Sequence, residues 1–179
     1  MAKPLPPERA TSGVAAREAA LRILARGPRT EREIAERLLL RGYGPGAVRD
    51  AVDRLRRVSL LDDRAFVRSF LHRELLRRPE SGTALRTRLR RRGVPPELLE
   101  DLDAAIAEDP DLSAESLDFE EGRARRALRE LTRRVRARNP EDRRRRLVQA
   151  LQRRGFAWDV IRDLLSEETS EDSDETPDG

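Results

Sequence analysis

Apolar residues recur along this chain three and four positions apart, and three times the pattern closes in the same way. Apolar side chains stand eight and four positions before a glycine, and another follows it directly: Ile34, Leu38, Gly42, Tyr43; Leu85, Leu89, Gly93, Val94; and Leu147, Leu151, Gly155, Phe156. Past each glycine the pattern resumes, at Ala47 and Val48, Leu98 and Leu99, and Val160 and Ile161. A helix commonly stops at a glycine, which enters the left-handed region without a Cβ penalty, and the next residue then packs back on the last turn. The spacing predicts a repeated helix, stop, helix unit, with contacts between Leu38 and Tyr43, Leu89 and Val94, and Leu151 and Phe156.

Residues 1–13 are rich in proline and small residues and predict a flexible lead. A first three-helix repeat follows over 14–60. Its opening stripe of Ala16, Ala20, Leu21 and Leu24 is halted by Gly27 and Pro28. Thr30 and Glu33 form a capping box for the next helix, and Pro45 opens a third that turns Val48, Val52 and Leu55 inward. The second repeat spans 61–109 and begins at Leu61, Asp62 and Asp63, where either aspartate can cap a helix carrying Phe66, Phe70, Leu71 and Leu75. Its second helix runs to Gly93, and Pro95 and Pro96 lead into a third with Leu98, Leu99, Leu102 and Ile106. An acidic connector is expected over 110–122. The third repeat, 123–165, puts Ala124, Leu128, Leu131 and Val135 on one helical face, restarts at Asn139 and Pro140, and ends on Leu164 and Leu165. The acidic segment 166–179 is expected to be disordered.

Composition narrows the chemistry. There is no cysteine and a single histidine, His72, so disulfides and cysteine- or histidine-rich metal sites are not expected. Aromatic residues make up 3% and charged residues 40% of the 179, which favours small helical units over one thick core. No apolar run is long enough to span a bilayer, and a soluble, cytoplasmic protein is expected. His72 has no nucleophile suggested by spacing, Asp62 and Asp63 read as caps rather than as acid and base, and no phosphate-cradling glycine loop is present. Neither an enzyme nor a cofactor is expected. Trp158 reads as a packing residue of the last helix, with an exposed interface anchor as the alternative.

The net charge of +4 conceals an uneven distribution. Seven of the 34 acids lie in 166–179, leaving 27 against 38 bases before it, so residues 1–165 carry about +11. Lys3 is the only lysine. On a helix over 123–138, Arg125, Arg126, Arg129, Arg133 and Arg136 would form one stripe opposite the apolar face. So many like charges imply a partner that supplies negative charge. A second group, Arg86, Arg88, Arg90, Arg91 and Arg92, ends a helix, where positive charge complements the dipole. Arg143, Arg145 and Arg146 begin one, where the dipole opposes them; Arg144, beside them, lies near the apolar face. Acidic protein surfaces and DNA phosphates are both suitable partners.

The stretch Leu60, Leu61, Asp62, Asp63, Arg64, Ala65, Phe66, together with the arginine, glycine, apolar helix ends and the opening helix pair over 19–42, resembles the RecX family of bacterial recombination regulators. The likeness extends over roughly residues 15–165, with Leu61, Asp62, Asp63 and Phe66 as its hallmark. The resemblance implies an all-α protein of tandem three-helix modules in an elongated, curved arrangement. It further implies a monomer that binds RecA or the RecA filament on single-stranded DNA, restraining ATP hydrolysis, strand exchange and coprotease activity in repair and the SOS response. Direct binding to DNA without RecA, and a scaffold for another protein, are the alternatives that the residues leave open.

Overall fold

The structure, a computed structural model, describes residues 5–117 and 119–174, with side chains to Glu167. Among these residues twelve helices follow one another with no strand. They are α1 (Pro7–Ala10), α2 (Gly13–Leu24), α3 (Glu31–Leu40), α4 (Pro45–Arg57), α5 (Asp63–Arg77), α6 (Gly82–Arg91), α7 (Pro96–Glu100), α8 (Leu102–Ala107), α9 (Pro110–Ala114), α10 (Glu120–Thr132), α11 (Pro140–Arg153) and α12 (Trp158–Asp174).

Their starts follow from side-chain capping. The Thr30 hydroxyl accepts from the Glu33 N–H at 3.1 Å and the Glu33 carboxylate accepts from the Thr30 N–H at 3.3 Å, which is the expected capping box of α3. Asp62 accepts from the Ala65 N–H at 3.0 Å at the head of α5, and Asn139 from the Asp142 N–H at 2.7 Å at the head of α11. Pro45 and Pro140 occupy first-turn positions, where their missing N–H costs nothing.

Their stops share one geometry. Gly42, Gly93 and Gly155 have φ of 89°, 80° and 84°, and the residue after each donates back to the carbonyl five positions earlier: Tyr43 to Leu38, Val94 to Leu89, Phe156 to Leu151. All six apolar partners are buried. The same bond closes two further turns in which serine takes the left-handed position, Leu60 to Leu55 after Ser59 with φ 54° and Leu117 to Leu112 after Ser116 with φ 55°.

Several elements differ from expectation. The lead holds α1 and is tied down by the Gly44 N–H, which donates to the Ala10 carbonyl at 2.8 Å, while Leu5 packs against the core. The single helix expected over Leu98, Leu99, Leu102 and Ile106 is broken at Asp101 into α7 and α8. The connector holds α9 and buries Leu112 and Leu117 completely. α12 runs on through Asp174, into the acidic segment expected to be disordered, whose last residues lie outside those described. α10 begins at Glu120, earlier than the sequence pattern suggests, and stops at Thr132 instead of reaching 138. Like charges at Arg129, Arg133 and Arg136 disfavour further turns, and the Asn139 cap restarts the chain.

Contacts divide the chain into two compact units, Met1–Ser69 with Leu89–Leu99, and Phe70–Arg88 with Glu100–Gly179. In the first, α2 packs on α4 and α3 on both, around Ala16, Ala20, Ile34, Leu38, Ala51 and Leu55. The alanines on α2 and α4 let the two backbones approach. In the second, α10, α11 and α12 enclose Ala124, Ala127, Leu128, Leu147, Leu151 and Ile161. Each fully buried leucine or isoleucine contributes about 1.5–3 kcal/mol of transfer free energy, so truncating Leu38 or Leu151 to alanine is enough to threaten its unit.

Candidate partner-binding arginine surfaces

Arginines fasten the chain at two joints. In the first unit the Thr30 hydroxyl donates to the Arg92 carbonyl at 2.7 Å, just before Gly93. The Arg92 guanidinium grips Glu33 with both arms, at 2.7 and 2.9 Å, and lies 4.4 Å from the centre of the Phe66 ring. Burial alone would push the Glu33 carboxyl up, but the hydrogen bond and charge of Arg92 outweigh it and hold the carboxyl below its ordinary range. In the second unit the Ser81 N–H donates to the Arg154 carbonyl at 3.0 Å, just before Gly155. The Arg154 guanidinium is buried and reaches the Pro79 carbonyl and Glu130 at 3.4 Å. A Cβ on Gly155 would stand 2.5 Å from the Ser81 hydroxyl and 2.9 Å from Cβ of Ala84.

Arg88 repeats the first arrangement. It bonds Glu74 at 2.8 Å and Glu80 at 2.9 Å and lies 5.0 Å from the centre of the Phe70 ring. Burial works against ionisation of Glu74, yet hydrogen bonds from Arg88, Arg77 and Arg73 win and lower its pKa to about 2. Burial opposes the Arg88 charge too, and its two glutamates more than compensate.

Of the remaining arginines expected to meet a partner, Arg86 pairs with Asp103, Arg125 with Glu167, and Arg126 with Glu115 and the Leu76 carbonyl. Arg90, Arg91, Arg129, Arg133, Arg136 and Arg143 are exposed, with no acidic side chain in ion-pair range among the described residues. Arg133 and Arg136 lie beyond the end of α10, so the expected five-membered helical stripe is reduced to Arg125, Arg126 and Arg129. Arg145 and Arg146 share Asp142, at 2.8 and 2.9 Å. The hydrogen bond from Arg145 is the main cause that keeps the Asp142 carboxyl below its ordinary range. Arg134 and Arg153, outside the expected set, line a cleft with Arg136, Arg145 and Arg146.

The acidic hallmark is structural on this geometry. Asp62 caps α5, whereas Asp63 turns away to accept from the Glu31 N–H at 3.0 Å and so fastens α3 to α5. Burial raises the Asp63 carboxyl above its usual range. Leu61 and Phe66 are buried beside it. His72 donates from Nδ1 to the Asp109 carboxylate, 2.9 Å away, and Asp109 also caps α9. Trp158 is 57% exposed rather than packed.

A protein of Halorhodospira halophila named Regulatory protein RecX is 36% identical to this chain over 159 residues, covering 87% of this chain and 89% of that one. The chain belongs to the RecX family. Residues 16–55 match the RecX first three-helix domain and 120–165 the RecX third three-helix domain. A Chlorobaculum tepidum protein of the same name is 28% identical over 86% of this chain and 88% of its own. The crystal structure of RecX from Lactobacillus salivarius has the same fold, with a TM-score of 0.67 at 17% identity, over 87% of this chain and 95% of that one. These relatives are named as regulatory proteins. No helix among the described residues is long and apolar enough to cross a membrane.

The buried arginines of this RecX chain were hidden in a sequence crowded with arginine. Arg123 is buried completely enough to rank with the core leucines, donating to the Leu117 carbonyl at 2.9 Å and to Glu120 at 2.6 Å, while Glu120 accepts from the Gly82 N–H. Their signal is placement: Arg123 interrupts the apolar positions of α10, and Arg154 directly precedes a left-handed glycine.

Proposed function

We propose that this chain regulates RecA by binding the RecA filament on single-stranded DNA and restraining its ATPase, strand-exchange and coprotease activities in cytoplasmic DNA repair and the SOS response. The observation that carries the reading is membership of a family of regulatory proteins over nearly the whole chain. Three tandem three-helix repeats, 14–60, 61–109 and 123–165, present the exposed arginines to acidic protein surfaces or phosphates, and the chain acts as a monomer without a cofactor. Arg90, Arg91, Arg129 and Arg143 lead this set, being exposed with no acidic side chain in ion-pair range among the described residues. Arg88 and Arg92, by contrast, are occupied by glutamates.

Mixing the purified chain with RecA, ATP and single-stranded DNA tests the reading. ATP hydrolysis and strand exchange should both fall as the chain is added, and rates unchanged at saturation would reject it.

A further inference from the structure

His72 stands in the middle of α5, and the connector brings two aspartates to it within the second unit. Leu112, completely buried, anchors α9, which sets Asp109 just before that helix and Asp111 in its first turn. The Asp109 carboxylate divides its work between two oxygens. Oδ1 accepts from the Asp111 and Leu112 N–H groups at 3.1 and 3.2 Å, and Oδ2 accepts from His72 Nδ1 at 2.9 Å. Burial works to raise this carboxyl, but the hydrogen bonds from His72 and Leu112 outweigh it and hold it below its ordinary range. An ionised carboxylate can only accept, so the proton of the neutral ring sits on Nδ1. The ring's lone pair is then on Nε2.

That nitrogen lies beside the second carboxylate. Asp111 Oδ2 is 3.9 Å from Nε2, and the Asp111 side chain is 73% exposed. One donor atom from each of His72, Asp109 and Asp111 lies within 4.8 Å of the other two. Although the chain carries 38 basic residues, neither aspartate has an arginine in ion-pair range among the described residues. A metal-bound histidine almost always gives its other ring N–H to a carboxylate, carbonyl or water, which fixes the tautomer and makes the ligating nitrogen more basic. His72 and Asp109 already stand in that arrangement. Two ligands of a tetrahedral zinc ion are about 3.4 Å apart, so Asp111 has to swing by only about 0.5 Å, a small movement for an exposed side chain. An imidazole with a carboxylate suits zinc and its neighbours better than magnesium or calcium, which take oxygen ligands. The single histidine excludes a histidine-rich site, not one in which a lone imidazole is joined by a carboxylate. We propose that His72 Nε2 and Asp111 bind one zinc ion, with Asp109 as the positioning residue and water in the remaining positions. The ion fastens α9 to α5 and takes no part in a reaction.

The full chain, without an affinity tag, is titrated with zinc chloride and followed by calorimetry and by the NMR signals of its imidazole. Those signals belong to His72 alone, because the chain has no other histidine. One ion per chain should bind, and the nitrogen resonance of Nε2 should move while Nδ1 keeps its proton. His72→Gln and Asp111→Asn should each weaken binding about tenfold or more. Asp109→Asn puts an N–H where Oδ2 accepts and so turns the ring's proton to Nε2, which should cost about ten- to a hundredfold with both ligands still present. Zinc should raise the thermal midpoint of the parent chain and leave those of His72→Gln and Asp111→Asn nearly unchanged. The exposed Asp111 keeps the test open if His72→Gln fails to fold. Binding weaker than about 1 mM, ring signals that zinc does not move, or affinity unchanged in both ligand variants would overturn the proposal. Displacement of zinc by an equal concentration of magnesium would overturn it too.

Discussion

At the first joint a side-chain hydroxyl, that of Thr30, donates to the carbonyl before Gly93; at the second a backbone N–H, that of Ser81, donates to the carbonyl before Gly155. Both donors belong to residues that cap a helix, and both acceptors belong to arginines one step before a left-handed glycine. The pairs Thr30–Arg92 and Ser81–Arg154 are thus one device used twice, each inside its own compact unit. They differ in the fate of the guanidinium. Arg92 stays partly in solvent and settles on a glutamate and a ring, while Arg154 is drawn inside, where burial pushes its pKa down against the opposing charge of Glu130. The same backbone turn therefore takes its support from the surface in one unit and from the interior in the other, and the two should fail by different routes.

Removing the guanidinium should separate them most. Arg154→Ala leaves Glu130 and the Pro79 carbonyl without their buried donor and should cost about 3 kcal/mol, at the lower end for breaking a buried pair, whereas Arg92→Ala should cost about 1–2 kcal/mol. Urea unfolding of the two variants measures this, and equal losses would remove the distinction.

The glycines come next. Gly155→Ala meets both a left-handed φ and the Ala84 and Ser81 side chains, and should cost about 2–3 kcal/mol. Gly42→Ala has its nearest neighbour, Leu5, at 3.9 Å and should cost only the backbone part, about 1–2 kcal/mol. Thermal midpoints ranked in that order support the close approach at Gly155; a larger loss at Gly42 contradicts it.

The caps differ by less. Ser81→Ala removes the cap on the Ala84 N–H but keeps the backbone bond to Arg154, for about 1 kcal/mol. Thr30→Ala loses the capping box and the bond to Arg92 together, for about 2 kcal/mol. Amide exchange at Ser81 adds a local reading, since that N–H opens only when the second joint does.

Acid supplies the smallest contrast. The Glu33 carboxyl is held below its ordinary value of 4.5 in the folded chain, so its contribution is present above that value and is lost as pH falls through the lower folded value. Stability should decline on acidification below about pH 4.5, less steeply in Glu33→Gln, which has nothing to titrate at the first joint. An unchanged slope in that variant would show that Arg92 does not bind the ionised form preferentially.

The three glycine stops, the Thr30 and Glu33 box and the Asn139 restart were legible because each is local, built from residues a few positions apart. The serine stops were not. Glycine at a helix end advertises its backbone freedom, while Ser59 and Ser116 take the left-handed position without that marker. The end of α10 was missed for a simpler reason: no glycine or proline stands near Thr132 to mark the stop. The joints were out of reach altogether: Arg92 does stand directly before Gly93, but its partner Thr30 is 62 positions away and nothing local pairs the two. For the arginine surfaces this mattered most. A periodicity of arginines records which side chains share a helical face, but only the positions of the glutamates decide which of them remain available.

Ser59 and Ser116 leave this chain room to adapt to heat. Each holds a backbone shape that costs an ordinary residue about 1–2 kcal/mol, and glycine there would relieve it, less the extra freedom that glycine has when unfolded. A version of the chain from a hotter habitat therefore has two single substitutions by which to raise its melting temperature. Both lie on turns, and neither disturbs an arginine that faces solvent.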